Sequence, residues 1–229
     1  MTTKILDLIS NLDSESAAAP FSRRDAFQQF AKQGTKIAIA AVTPLVATSC
    51  ALIGPAIAPQ TGLAKETLAF ALLLEELEHE FYVQALAARG LIPASDRAVF
   101  EQISKHEGAH VTFLTTGLTG IGGAPQPAPK FDFAGGGKYR GVFSNYRTFL
   151  ELSQTFEDTG VKAYKGQAAN LITSPTLLTA ALRIHSVEAR HAAEIRRLRG
   201  EKAWTGAFDE PLTKAQVLAM VSPFIRKGT

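Results

Sequence analysis

Two short stretches of this 229-residue sequence place a histidine three residues after a glutamate. The stretch SKHEGAHVTFL contains Glu107 and His110, and SVEARHAAEIRRL contains Glu188 and His191. Residues three apart lie on one face of a helix, so each pair can direct a carboxylate and an imidazole to the same point. One such pair alone is common on a solvated helix surface, so metal chemistry requires further donors elsewhere in the chain.

Two other stretches carry a glutamate followed seven residues later by a tyrosine. These are Glu75 with Tyr82 and Glu157 with Tyr164. At about 100° per residue, seven helical steps return to within roughly 20° of the starting direction, so each glutamate shares a face with its tyrosine. Along the chain a glutamate and tyrosine pair is followed by a glutamate and histidine pair, and this order of two pairs then occurs a second time. The sequence therefore predicts two helical hairpins that carry the same constellation.

The charges of this constellation predict a pair of metal ions. Four carboxylates in an apolar core are strongly unfavourable unless something neutralises them. Two divalent ions would balance the four negative charges, and two neutral imidazoles would complete the ligand set. Oxygen-rich donors with one imidazole per ion suit iron or manganese, and zinc remains an alternative. The predicted ligands are Glu75, Glu107, His110, Glu157, Glu188 and His191.

Four long helices are predicted to position these residues. The first runs without proline or glycine up to Gly90, and the second begins at Ser95 or Asp96. The third is predicted despite Gly160 and Gly166, each of which costs about 1 kcal/mol relative to alanine in a helix. These two glycines indicate the close approach of another backbone. The fourth helix contains the second glutamate and histidine pair.

A long stretch rich in glycine and proline, GIGGAPQPAPKFDFAGGGKYRGVF, separates the second helix from the third. It is too long for a tight turn and too aromatic for a simple disordered linker. The chain therefore has a short connection, then a long crossover, and then a second short connection. This order of connections is typical of a four-helix bundle with one crossover. The sequence therefore predicts an all-α bundle over residues 61–200, followed by a C-terminal extension over 201–229 with a short helix.

The stretches FALLLEELEHEFY, HEGAHVTFL, FEDTGVKAYKG and VEARHAAEIR resemble the ferritin-like superfamily, in particular bacterial proteins of the desiccation-related group. The resemblance covers about residues 63–198 and implies a di-iron centre in a four-helix bundle. The six predicted ligands fall on the ligand positions of that family. Tyr82 and Tyr164 fall on positions that hydrogen bond to ligands. Glu78, His79 and His185 lie close to the pattern, so each remains an open candidate for the ligand shell.

The first 60 residues differ from the rest and predict an export leader. Arg23 and Arg24 precede an uncharged stretch over residues 37–58, which resembles a twin-arginine signal. This leader predicts a periplasmic or cell-envelope protein and leaves membrane association and lipidation at Cys50 open. The alternative is a retained apolar arm on a cytoplasmic protein. With a single cysteine, the chain can form neither an intramolecular disulfide nor a cysteine-based metal cage.

Composition fits an ordinary globular protein and argues against nucleic-acid binding, because the net charge of +3 is mild and its basic residues are scattered. The resemblance implies oxidoreductase chemistry at two iron ions with dioxygen or peroxide, in iron handling or stress protection. One alternative is a non-enzymatic stress or structural scaffold with the same bundle. A weaker alternative is a peroxide dismutase similar to manganese catalase. Self-association into a homo-oligomer also remains open.

Overall fold

The computed structural model describes residues 62–204 and 206–226, and the predicted leader therefore lies outside the described residues. This part of the chain is all-helical, with one isolated β-bridge between Phe131 and Ile225, and the predicted all-α class is confirmed. The helices are α1 (Gly62–Ala87), α2 (Arg97–Gly120), α3 (Tyr146–Gln167), α4 (Pro175–Leu198) and α5 (Lys214–Val221). No helix within these residues is long and apolar enough to cross a bilayer.

The four long helices pack as two sequential hairpins. Helix α1 packs along α2, α3 packs along α4, and α1 also contacts α3. Gly90 follows the end of α1 with a φ of 75°, a left-handed conformation that glycine adopts readily. Asp96 is the N-cap residue of α2, one of the two positions predicted. Its carboxylate caps no backbone amide and instead accepts a hydrogen bond of 2.7 Å from the hydroxyl of Tyr146, at the start of α3.

The connection between α2 and α3 is long, and an aromatic cluster holds it to the bundle. Phe133 of this connection packs against Phe81 of α1, with ring centroids 5.1 Å apart and the rings tilted by 54°. Phe156 of α3 contacts both Phe81 and Phe224, so the C-terminal end packs on the same cluster. These rings are almost fully buried, and they close the α1 and α3 side of the core.

The two glycines of α3 have different neighbours. A Cβ atom on Gly166 would lie 1.9 Å from the carbonyl oxygen of Leu212, so the predicted close approach of another backbone is confirmed here. The amide of Leu212 also donates to the carbonyl of Lys162 at 3.1 Å, which fixes the C-terminal segment on α3. At Gly160 the prediction was wrong, because the nearest atoms are the carboxylate oxygens of Glu78 and Glu188.

Candidate metal centre

The structure brings all six predicted ligand residues together in the middle of the four long helices. They form two groups of four residues that share two members, and the donor atoms of each group lie within 4.8 Å of one another. One group is Glu75, Glu107, His110 and Glu188, and the other is Glu107, Glu157, Glu188 and His191. The glutamates are fully buried.

The first group is arranged around the Nδ1 atom of His110. This atom lies 3.0 Å from Glu75 Oε2, 3.2 Å from Glu107 Oε2 and 3.2 Å from Glu188 Oε1. The three carboxylates come from three different helices, α1, α2 and α4. One small cation at this point would therefore be reached by three oxygen donors and one nitrogen donor.

The second group repeats this arrangement around the Nδ1 atom of His191. This atom lies 2.9 Å from Glu107 Oε1, 3.3 Å from Glu157 Oε2 and 3.9 Å from Glu188 Oε2. Glu107 and Glu188 thus direct one oxygen to each group. Glu75 and Glu157 each belong to one group only. The two groups thus define two candidate cation positions. Two carboxylates are shared between these positions, and each position has one further carboxylate and one imidazole of its own.

Two tyrosines fix the unshared carboxylates from the opposite hairpin. The hydroxyl of Tyr82 donates to Glu157 Oε1, and that of Tyr164 donates to Glu75 Oε1, each at 2.5 Å. Both tyrosines are buried, with exposed fractions of 0% and 7%. Because the second oxygen of each glutamate faces the histidine of its group, the hydrogen bonds set the direction in which these carboxylates point.

Several buried polar atoms of the centre lack hydrogen-bond partners among the described residues. They are Glu107 Oε1, Glu157 Oε2, both oxygens of Glu188 and Nδ1 of His191. Buried polar atoms are normally paired, because an unpaired one costs free energy. Four of these atoms face the second group, whereas Glu188 Oε1 faces His110 in the first group. This donor set of carboxylate oxygens and imidazole nitrogens fits a divalent cation.

The family of the chain follows from a comparison with known proteins. The family model of the ferritin-like domain matches residues 64–201, which include all six residues of the two groups. The chain belongs to the ferritin-like domain family. No curated protein shows a significant match to the sequence.

Without cations, the centre of this ferritin-like domain balances its charge with protons. Burial lowers the pKa of His110, but hydrogen bonds to Glu107 and Glu75 and the nearby carboxylate of Glu188 outweigh this effect and raise it to about 12. Burial likewise lowers the pKa of His191, and the negative charges of Glu157 and Glu107 raise it to about 11. Burial raises the pKa of Glu107 to about 7. Metal ions that bind here would displace these protons.

One polar residue of the centre was missed by the sequence analysis. His106 Nδ1 lies 2.8 Å from His191 Nε2, and the two rings stack with centroids 5.1 Å apart. The side chain of Gln102 contacts the other ring nitrogen of His106 at 2.6 Å. His106 therefore orients the imidazole of His191 from outside the group. The available signal was the spacing of four residues from His106 to His110, which places both on one helix face.

The three open candidates of the ferritin-like domain have different surroundings. Glu78 is 2% exposed and lies beside Glu188. His79 packs over Gly108, where a Cβ atom would lie 3.1 Å from its Cε1 atom, and it belongs to neither group. His185 is also outside both groups, and burial together with the charge of Lys165 lowers its pKa. Glu78 is likewise outside both groups, but of the three it alone approaches the same point as a ligand residue, because its Oε1 and Glu188 Oε2 both lie near the Cβ position of Gly160.

Proposed function

We propose that this ferritin-like protein binds two iron ions and oxidises a substrate with dioxygen or peroxide, in iron handling or stress protection. The observation that carries the proposal is that Glu107 and Glu188 are shared between the two groups. Each of these carboxylates directs one of its oxygens to the first group and the other oxygen to the second group. Shared carboxylates hold two cations side by side, which a single-ion site does not need. Manganese or zinc would fit the same donors, and oxygen-rich ligands favour iron or manganese.

The residues of the centre have separate tasks in this proposal. Glu75 and His110 would hold one ion, Glu157 and His191 would hold the other, and the shared carboxylates would neutralise both. Two ferrous ions supply electrons for the reduction of dioxygen or peroxide when they are bound. Burial of the glutamates keeps bulk water away, so the electrostatic interactions within the site are strong.

An apolar cavity beside the centre favours dioxygen as the oxidant. It is bordered by Leu74, Phe113, Leu114 and Tyr164. Tyr164 connects it to the centre, because its hydroxyl donates to Glu75. A lining of this composition accommodates apolar dioxygen better than hydrogen peroxide, which needs hydrogen-bond partners.

The proposal extends to the subgroup and the location of the protein. The resemblance to bacterial desiccation-related proteins and the pair Arg23 and Arg24 support export by the twin-arginine route to the periplasm or cell envelope. That route carries folded proteins, so the centre would be loaded before export. Replacing both arginines with lysine should retain the protein in the cytoplasm of its host. An unchanged distribution between cell fractions would favour a retained arm.

Metal content and oxygen consumption test the proposal directly. Protein purified from its own host should contain two iron ions per chain by mass spectrometry, and Fe²⁺ added to the apoprotein should cause rapid oxygen consumption. The variant Glu188→Ala is the matched negative control, because it removes one shared carboxylate. Metal-free protein with normal folding and no oxygen consumption would instead support the non-enzymatic scaffold. Manganese content with peroxide dismutation would support the catalase-like alternative.

A further inference from the structure

The two hairpins of the centre differ at one pair of equivalent positions. Three residues after Glu75 the first hairpin has Glu78, whereas three residues after Glu157 the second hairpin has Gly160. Each of these positions faces the centre, because both lie one helical turn from an unshared carboxylate. The centre therefore contains a fifth carboxylate that has no counterpart in the other hairpin.

The glycine makes room for the carboxylate of Glu78. A Cβ atom on Gly160 would lie 3.3 Å from Glu78 Oε1 and 3.4 Å from Glu188 Oε2. The contact with Glu78 is tighter than most real Cβ contacts, so a methyl group here would push this carboxylate by a few tenths of an ångström. The side chain of Glu78 thus occupies the space above Gly160, next to Glu188.

The position of Glu78 relative to Glu188 assigns it to one of the two groups. Glu188 Oε1 faces His110, whereas Oε2 faces His191. The Glu188 oxygen that approaches the Cβ position of Gly160, as Glu78 Oε1 also does, is Oε2. Glu78 therefore lies on the His191 side of the centre, where Glu157 also contributes its free oxygen.

Glu78 is poorly explained as a packing residue. It is 2% exposed, and its Oε2 atom has no hydrogen-bond partner in the described part of the chain. A buried carboxylate without a partner costs more than a leucine or methionine of similar volume at the same position. A cation in the second group would supply the missing partner.

We propose that Glu78 is a fifth carboxylate ligand, which binds the ion held by His191 and makes the two metal positions unequal. This inference rests on the proposed function, because it requires two bound ions. The His191 position would have one more anionic donor than the His110 position, and it is also the position whose imidazole is oriented by His106. An added anionic ligand favours the more highly charged ion, so the ion at this position should be the more readily oxidised of the two.

Titration of the apoprotein with Co²⁺ tests the inference without any turnover. Calorimetry and the visible absorption of Co²⁺ should show two binding events in the native protein. Glu78→Gln should weaken one event by about tenfold or more, the scale for loss of groups that support a metal site, and leave the other unchanged. Glu76→Gln is the matched control on the same helix, since Glu76 is partly exposed whereas Glu78 is buried. It should leave both events unchanged.

Single-position backgrounds identify which ion Glu78 binds. His110→Ala should leave the His191 position, and His191→Ala should leave the His110 position. Glu78→Gln should weaken Co²⁺ binding in the first background and have no effect in the second. The opposite result, or equal effects in both backgrounds, would overturn the assignment.

Circular dichroism would reveal whether Glu78→Gln misfolds. Two further variants test the inference independently of that variant. Glu78→Asp withdraws the carboxylate and Gly160→Ala pushes against it, so each should weaken the same event. If native protein binds two Co²⁺ ions and all three variants match it, this inference fails while the proposed function stands. If native apoprotein binds no Co²⁺, the proposed function fails and this inference with it.

Discussion

At the residue scale, the centre depends on hydrogen bonds that cross between the hairpins. Tyr82 of α1 orients Glu157 of α3, and Tyr164 of α3 orients Glu75 of α1. A buried carboxylate without such a bond could rotate toward other protons in the centre. The phenol therefore fixes which oxygen is available to a cation.

Replacing either tyrosine with phenylalanine should weaken metal binding to a similar extent. Tyr82→Phe and Tyr164→Phe each remove one hydroxyl while the buried ring stays in place, so the helices should remain intact. Loss of such a supporting bond reduces metal affinity by about 10-fold to 100-fold. Competition with a coloured chelator measures the affinity, and circular dichroism checks the fold. Native affinity in both variants would contradict the role of the hydroxyls.

The shared carboxylates should matter more than any other single residue. Glu107→Ala and Glu188→Ala each remove a donor from both groups, so each should reduce binding at both positions. Glu76→Ala should leave the stoichiometry at two, because Glu76 belongs to neither group. Equilibrium dialysis with metal analysis gives the stoichiometry. Two tightly bound ions in both shared-carboxylate variants would refute the assignment of these glutamates.

At the element scale, helix α3 has two tasks that its glycines separate. Gly160 leaves room for a carboxylate inside the bundle, and Gly166 leaves room for the backbone of Leu212 outside it. The C-terminal segment is also held by Lys165, whose ammonium group donates to the carbonyl of Asp209 at 3.1 Å. The extension is thus docked on the helix that supplies Glu157 and Tyr164.

Replacing Gly166 with alanine should detach the C-terminal segment from α3. The added methyl group would lie 1.9 Å from the Leu212 carbonyl oxygen, and a backbone atom cannot move aside as a flexible side chain can. Overpacking of this kind costs about 1 to 3 kcal/mol of unfolding free energy. Thermal unfolding and limited proteolysis after α4 measure the effect. Gly62→Ala is the control, since no atom of the described residues lies within 4 Å of its added Cβ, and equal stability of both variants would contradict the docking.

Much of the fold and of the centre could be predicted because the signals are local. Spacings of three and seven residues fix which side chains share a helix face. The repeat of these spacings in two hairpins, together with the need to neutralise buried carboxylates, predicted that Glu75, Glu107, Glu157 and Glu188 meet. His106 was missed because its partner, His191, lies on a different helix, and the distance between helices is not encoded in either spacing. Gly160 was misinterpreted for the same reason, since its neighbours come from α1 and α4.

At the scale of the whole molecule, the centre places a cluster of buried charges in the middle of the four helices that form the domain. The pKa values of His110 and His191 are raised, so protons partly compensate the carboxylates when no cation is present. Several oxygen atoms nevertheless lack partners in the described residues. The apoprotein should therefore be a folded but less stable state, and metal binding should contribute to the stability of the entire bundle.

Removing metal should lower the unfolding temperature of the native protein reversibly. The assembled centre exists only in the folded chain, because α1, α2, α3 and α4 each supply donors to it. A cation that binds the folded state alone stabilises it by about 2.7 kcal/mol per site at a free concentration 100 times its Kd. Calorimetric scans of chelated and reconstituted protein measure this difference, with Mn²⁺ as a redox-stable probe. Glu188→Ala should unfold at the same temperature with and without Mn²⁺, whereas Glu76→Ala should respond as the native protein does. If the unfolding temperature of the native protein is the same with and without Mn²⁺, the centre does not hold cations in the folded chain.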